Sequence, residues 1–81
     1  MKTEEAFELI KKTLEEKEEE KVEINMNDEF KDIGLNSISF VRLVVALEEK
    51  YDIEFSDEHL DHEYYNTVAD FCNYVAELLS E

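Results

Sequence analysis

The sequence has no proline and no tryptophan, one glycine, one cysteine, and few cations: 8 Lys and Arg against 23 Asp and Glu, a formal charge of −15. Each shortage excludes something. Cys72 alone cannot form an internal disulfide, so a chain of 81 residues must fold on its apolar core, and a hydrophobic content of 43% makes that feasible. The scarcity of cations excludes nucleic acid as a partner, because so acidic a surface repels phosphate backbones instead of releasing their counterions. No apolar run approaches the roughly 18 residues that span a bilayer. The start, Met1-Lys2-Thr3-Glu4-Glu5, lacks the charged and apolar regions of a secretion signal, so a cytoplasmic protein is expected. Chains usually need about 100 residues or more before they divide, so one domain over 1–81 is expected, and the charge favours a monomer.

What is present reads as helices. Thr3 can cap a first helix over 4–17, with Glu4, Glu5 and Glu8 near its positive end and Phe7, Ile10 and Leu14 on one face. The charged run 15–21 reads as a solvated helix end and connection. Val22, Ile24 and Met26 then alternate with polar residues, yet nothing else in the chain offers a strand to pair with them, so a half-buried extended loop is expected. Phe30 and Ile33 are its anchors, and Gly34 supplies the turn before a second helix over 37–50. A short third helix near 57–62, capped by Ser56 or Asp57 and anchored by Leu60, precedes a last helix over 67–80. That last helix opens on a Thr67/Asp70 capping box and carries the stripe Val68, Phe71, Cys72, Val75, Leu78 and Leu79. The fold class is all-α, a small four-helix bundle with a long first loop and a short third helix.

The second helix has more apolar surface than one core contact needs. Phe40, Leu43, Val44, Leu47 and Tyr51 form a core face. Ile38, Val41 and Val45 form a second stripe, centred roughly 130° away at the α-helical pitch. Either another helix covers it or it is an exposed docking strip rimmed by Arg42 and Glu48.

Enzymatic constellations are absent from the pattern. Cys72 lies mid-stripe and reads as a buried structural thiol. His59 and His62, among Asp57, Glu58, Asp61 and Glu63, offer two of the four ligands a structural zinc needs, so no metal site is assigned. A calcium loop centred on Gly34 would put Lys31 and Ile33 at liganding positions and Phe40 where a bidentate Glu belongs. Asn36-Ser37-Ile38 is left. A hydroxyl at the first turn of a helix lies beside unpaired N–H groups and the positive dipole end, where a phosphate diester is stabilised. The alternative is that Asn36 or Ser37 only caps the helix.

The stretch Phe30-Lys31-Asp32-Ile33-Gly34-Leu35-Asn36-Ser37-Ile38, followed by Val41, Leu43-Val44, Leu47-Glu48 and Phe55, resembles the core signature of acyl and peptidyl carrier proteins. In that family an aromatic residue, then Asp-Leu-Gly, then Asp-Ser-Leu opens the second helix. The likeness runs from about Asp28 to Tyr74-Val75. It implies a four-helix carrier fold and a 4'-phosphopantetheine arm, transferred from coenzyme A to Ser37 by a separate phosphopantetheinyl transferase, with Asn36 and Ile38 flanking the attachment point. The chain would then not be an enzyme. Cargo would ride as a thioester on the arm and be presented to acyl- or aminoacyl-loading and condensing enzymes bearing basic or apolar patches. Ile38, Val41 and Val45, with Arg42 and Glu48 at the rim, match the family's docking positions.

Departures from the family pattern shape the expectation. Asn36 replaces the usual aspartate and Ile38 the usual leucine, as in peptidyl and specialised carriers. Ser39 and Arg42 stand where fatty-acid carriers are acidic, so contact at the second helix should be more apolar and less sensitive to salt. The charge lies elsewhere: residues 57–81 hold Asp57, Glu58, Asp61, Glu63, Asp70, Glu77 and Glu81 and no Lys or Arg. Phe71 occupies a place where many fatty-acid carriers have a small residue, and with Tyr64, Tyr65 and Tyr74 it implies a filled interior. A freestanding carrier is expected, specialised (peptidyl, aminoacyl or short-acyl) rather than general fatty-acid. The contrary reading is an unmodified acidic interaction module with a carrier-like fold, which a buried Ser37 hydroxyl would favour.

Overall fold

A computed structural model describes residues 2–18 and 23–80. The expected behaviour of Val22 and of the charged run beyond residue 18 lies outside the described residues. Three α-helices form the bundle: α1 (Thr3–Glu18), α2 (Ser37–Tyr51) and α3 (Val68–Leu79), with 3-10 turns at Phe30–Asp32, Asp57–Leu60 and His62–Tyr64.

α1 lies mainly against α3. It buries Ala6, Ile10, Thr13 and Leu14, while Phe7 packs half-buried at the edge of the core. The small Ala6 side chain is wholly enclosed. Thr3 is already helical and does not cap α1; its hydroxyl donates instead to Asn73 Oδ1 on α3. Glu16 holds the other end of the helix to α2 through Lys50 Nζ at 3.1 Å.

The first connection is extended, as its alternation suggests, with Ile24 buried and Met26 half-buried. It does find a partner, although no strand forms among the described residues. Glu29 and Thr67 make one antiparallel bridge. Phe30 N donates to Asn66 O at 2.9 Å, Val68 N to Asp28 O at 3.0 Å and Ala69 N to Met26 O at 2.9 Å. Two first-turn amides of α3, which have no acceptor inside their own helix, are thus satisfied by the connection. Gly34 has φ +85°, and a Cβ there would meet nothing within 4 Å, so its requirement is conformational and not one of space.

The short third helix is two 3-10 turns broken at Asp61, whose backbone is extended and whose Oδ1 accepts from Glu63 N at 2.9 Å. A side chain that bonds its own backbone in this way competes with continuing the helix. Leu60 is not the anchor, being 39% exposed. That role falls to Tyr65, buried, with its hydroxyl donating to His59 O at 2.8 Å.

α3 keeps the expected capping box: Asp70 N donates to Thr67 Oγ1 and Thr67 N to Asp70 Oδ2, both at 3.2 Å. Its buried stripe is Val68, Phe71, Cys72, Val75 and Ala76, with Leu78 and Leu79 packed at the margin. Phe71 is fully enclosed, its ring centroid 5.2 Å from Phe30, 5.8 Å from Phe40, 5.0 Å from Tyr65 and 5.9 Å from Phe55. The centre of the bundle is therefore filled by rings. Tyr64 does not contribute to it, since it is 54% exposed. Truncating Phe71 to Ala removes a fully buried aromatic side chain and is expected to lower stability by about 3–5 kcal/mol, read from urea unfolding midpoints by circular dichroism.

Candidate functional site

The N-terminus of α2 separates the roles of the three residues there. Asn36 is the cap: its backbone is extended and its Oδ1 accepts from Ser39 N at 2.8 Å. Ser37, the first helical residue, is exposed and its hydroxyl is not needed for that bond. The condition that would have favoured an unmodified module, a buried Ser37, is not met. The first turn of α2 carries no acidic side chain, so an anion at Ser37 meets the helix's positive end without a carboxylate from that turn opposing it. Asn36 supplies the cap without the charge that an aspartate would bring.

Two anchors fix this terminus. Phe30, on the near side, is buried among Phe40, Tyr65 and Phe71, and Phe40 is the first enclosed residue of α2. Gly34 turns the chain between them.

The second apolar stripe of α2 is uncovered. Ile38 is 64% exposed, Val41 48% and Val45 43%, whereas Phe40, Leu43, Val44 and Leu47 are buried. Arg42 is exposed beside it. Glu48 is half-buried, and its carboxylate accepts from Phe55 N at 2.9 Å, so it fixes the chain as it leaves α2 rather than standing free as rim. That role was not legible in the sequence, where Glu48 looks like any surface acid. With Lys50 turned to Glu16, Arg42 is the α2 cation next to the stripe.

The remaining candidates have structural surroundings. Cys72 is buried, and burial pushes its thiol up to about 12, which keeps it neutral and unreactive. The His59 ring stacks on Tyr74 with centroids 3.7 Å apart, and its Nδ1 lies 2.6 Å from Ser56 Oγ. The His62 ring stands edge-on to Phe40 at 6.4 Å. Among the described residues no group of three or more His, Cys, Asp or Glu side chains is arranged to hold a metal ion, and no helix is long and apolar enough to cross a membrane. A groove of about 480 Å³ runs between the first connection and the last 3-10 turn, lined by Phe30, Lys31, Leu35, His62, Glu63 and Tyr65. Leu35 places it two residues from Ser37.

The family described as phosphopantetheine attachment site matches residues 7–75. The chain belongs to that family. An acyl carrier protein of Clostridium acetobutylicum is 43% identical to this carrier over 54 residues, which span 65% of this chain and 68% of that one. The crystal structure of an acyl carrier protein from Thermotoga maritima has the same fold, with a TM-score of 0.81 over 99% of this chain and 93% of that one, at 22% identity. The all-α bundle and the carrier resemblance read from the sequence are both borne out. Members of this family are carriers and not enzymes, and the prosthetic group is covalently attached 4'-phosphopantetheine.

The separation of roles at the α2 terminus has a measurable consequence. Asn36→Ala is expected to cost about 1 kcal/mol by loss of the cap. Ser37→Ala should stay within about 0.5 kcal/mol, as an exposed substitution away from the cap does. Paired urea titrations of the two variants check both.

Proposed function

We propose that Ser37 is the attachment residue and that the chain serves as a cytoplasmic, monomeric carrier loaded by a separate phosphopantetheinyl transferase. One observation carries the reading: an exposed hydroxyl at the positive end of α2, released from capping by Asn36 and adjoining an uncovered apolar stripe. In the transfer, Ser37 Oγ forms the new bond to phosphorus, its proton passes to the transferase, and the adenosine bisphosphate part of coenzyme A leaves. The group supplies a terminal thiol on which an acyl chain is held as a thioester. Asn36 then orders the first turn beneath the phosphodiester, and the amides of that turn stabilise its charge.

Ile38, Val41 and Val45, with Arg42 beside them, form the docking strip for the transferase and the cargo-handling enzymes. Apolar contact supplies the affinity there, and because α2 lacks an acidic recognition face, added salt weakens that contact little. Specialised cargo, aminoacyl or short acyl, is favoured over a long fatty acyl chain. The fully enclosed Phe71 and the rings around it occupy the bundle centre, and the space beside Ser37 is the open groove, whose rim carries Lys31 and Glu63. The alternative of an unmodified interaction module is not favoured by the family match.

Incubation with coenzyme A and a broad-specificity phosphopantetheinyl transferase is expected to add one phosphopantetheine by intact mass, and Ser37→Ala should add none while keeping its helical circular dichroism. A well-folded wild type that gains nothing, beside a control carrier that is loaded, would overturn the assignment. For the cargo, ¹⁵N spectra of octanoyl-loaded protein should leave the Phe71 and Leu47 amides close to their unacylated positions; large shifts at both would show that the interior opens to an acyl chain.

A further inference from the structure

A second concave surface involves no residue of α2. It is a cleft of about 390 Å³ between the 3-10 turns and α3, lined chiefly by His59, Tyr64, Asn73, Tyr74 and Glu77. We propose that this cleft receives an arginine side chain of a protein partner, as a contact separate from the α2 strip.

The walls have the chemistry of a guanidinium site. Asp70, Asn73, Tyr74 and Glu77 recur at i, i+3, i+4 and i+7 and so share one face of α3. Opposite them, Tyr64 stands edge-on to His59 at 4.6 Å, and His59 lies flat on Tyr74 with the ring planes 5° apart. The ring stack holds the cleft in shape before anything binds, helped by Ser56, whose backbone N–H donates to the Tyr74 hydroxyl at 3.2 Å. Tyr64 is a large aromatic side chain left 54% exposed, packed edge-to-face with His59 and Tyr65. Exposed aromatic surface suits a cation, which the ring quadrupole attracts.

Charge selects the occupant further. Asp70 and Glu77 both line the cleft, and since Asp70 Oδ2 accepts the Asn66 and Thr67 amides, Glu77 is the one whose carboxylate is not engaged with backbone amides when a cation arrives. From residue 57 to 80 the chain holds no Lys or Arg of its own to fill the site. A planar guanidinium satisfies both walls at once, lying on Tyr64 and bonding Glu77 side by side. A lysine ammonium is more strongly hydrated and has no flat face to stack. The cleft is shallow and open, which suits one side chain whose backbone is held elsewhere on the partner.

The test uses the ¹⁵N-labelled full chain and two blocked tripeptides, Gly-Arg-Gly and Gly-Lys-Gly, titrated at one fixed salt concentration. The arginine peptide is expected to shift the Tyr64, Asn73, Tyr74 and Glu77 amides saturably and to bind at least about threefold more tightly than the lysine peptide. Tyr64→Ala and Glu77→Gln, both exposed positions, should each weaken it about threefold or more with unchanged circular dichroism. Absence of saturable binding, equal affinity for both peptides, or shifts scattered over the acids of the first connection would each overturn the proposal, the last two marking general attraction to a highly anionic surface. Ser37→Ala should bind the arginine peptide normally, so the outcome is independent of whether the arm is attached.

Discussion

Phe71 and the rings around it are the constraint on which the molecule depends. Phe30 reaches this cluster from the first connection, Phe40 from α2, Phe55 from the segment after α2 and Tyr65 from the end of the 3-10 turns. Segments far apart in sequence are thus drawn to one point, in a chain of which 38% is charged and which has no disulfide. Edge-on and tilted ring pairs add to the burial term by their quadrupoles, and at this chain length each such contribution matters. The backbone tie of the first connection to the start of α3 reinforces the same arrangement from outside.

The exposed start of α2 follows from that cluster. Phe30 and Phe40 are both locked into it, so the chain between them must cross from one anchor to the other, turning at Gly34, the one glycine, with φ +85°. Ser37 lies on this outward arc between the two buried anchors Phe30 and Phe40, and is exposed together with Asn36 and Ile38 on either side of it. The hydroxyl stands on the first residue of α2, while the arm it would carry supplies the reach. Division of labour with Asn36 completes the arrangement: one side chain orders the helix start, and the other remains chemically available.

What was legible in the sequence was whatever periodicity or local capping chemistry determines. The two apolar stripes of α2, the Thr67/Asp70 box, the glycine turn and the enclosed Cys72 all follow from spacing within one element, although which of the stripes stays uncovered does not. Contacts between elements were not legible. Thr3 looks like a cap because a threonine precedes an acidic helical turn, yet its hydroxyl is taken by Asn73, remote in sequence. Leu60 looks like an anchor because it is the one aliphatic residue of a polar stretch, but Asp61 interrupts the helix and Tyr65 displaces Leu60 from the core. The partner of the first connection was invisible for a related reason: it is the capped N-terminal edge of a helix, which has no strand-like pattern to find.

Charge distribution explains how so acidic a chain can leave an apolar strip uncovered on α2. On α2, Lys50 is drawn to Glu16 and Glu48 is spent on the Phe55 amide, which leaves Ile38, Val41 and Val45 with Arg42 as their charged neighbour. Residues 57–80 hold Asp57, Glu58, Asp61, Glu63, Asp70 and Glu77 with no Lys or Arg among them, whereas the acids of α1 are interleaved with Lys11, Lys12 and Lys17. Long-range attraction to a basic partner would therefore arise on a different part of the surface from the proposed apolar contact, and the two would respond differently to salt: the first is screened within about 8 Å at physiological ionic strength, whereas the second is set by buried area. A partner that meets only the apolar strip gains affinity without orientation. One that also met the acidic, aromatic side of the molecule would be oriented before it docked, so a net charge of −15 is compatible with the proposed docking role of an α2 that is itself close to neutral.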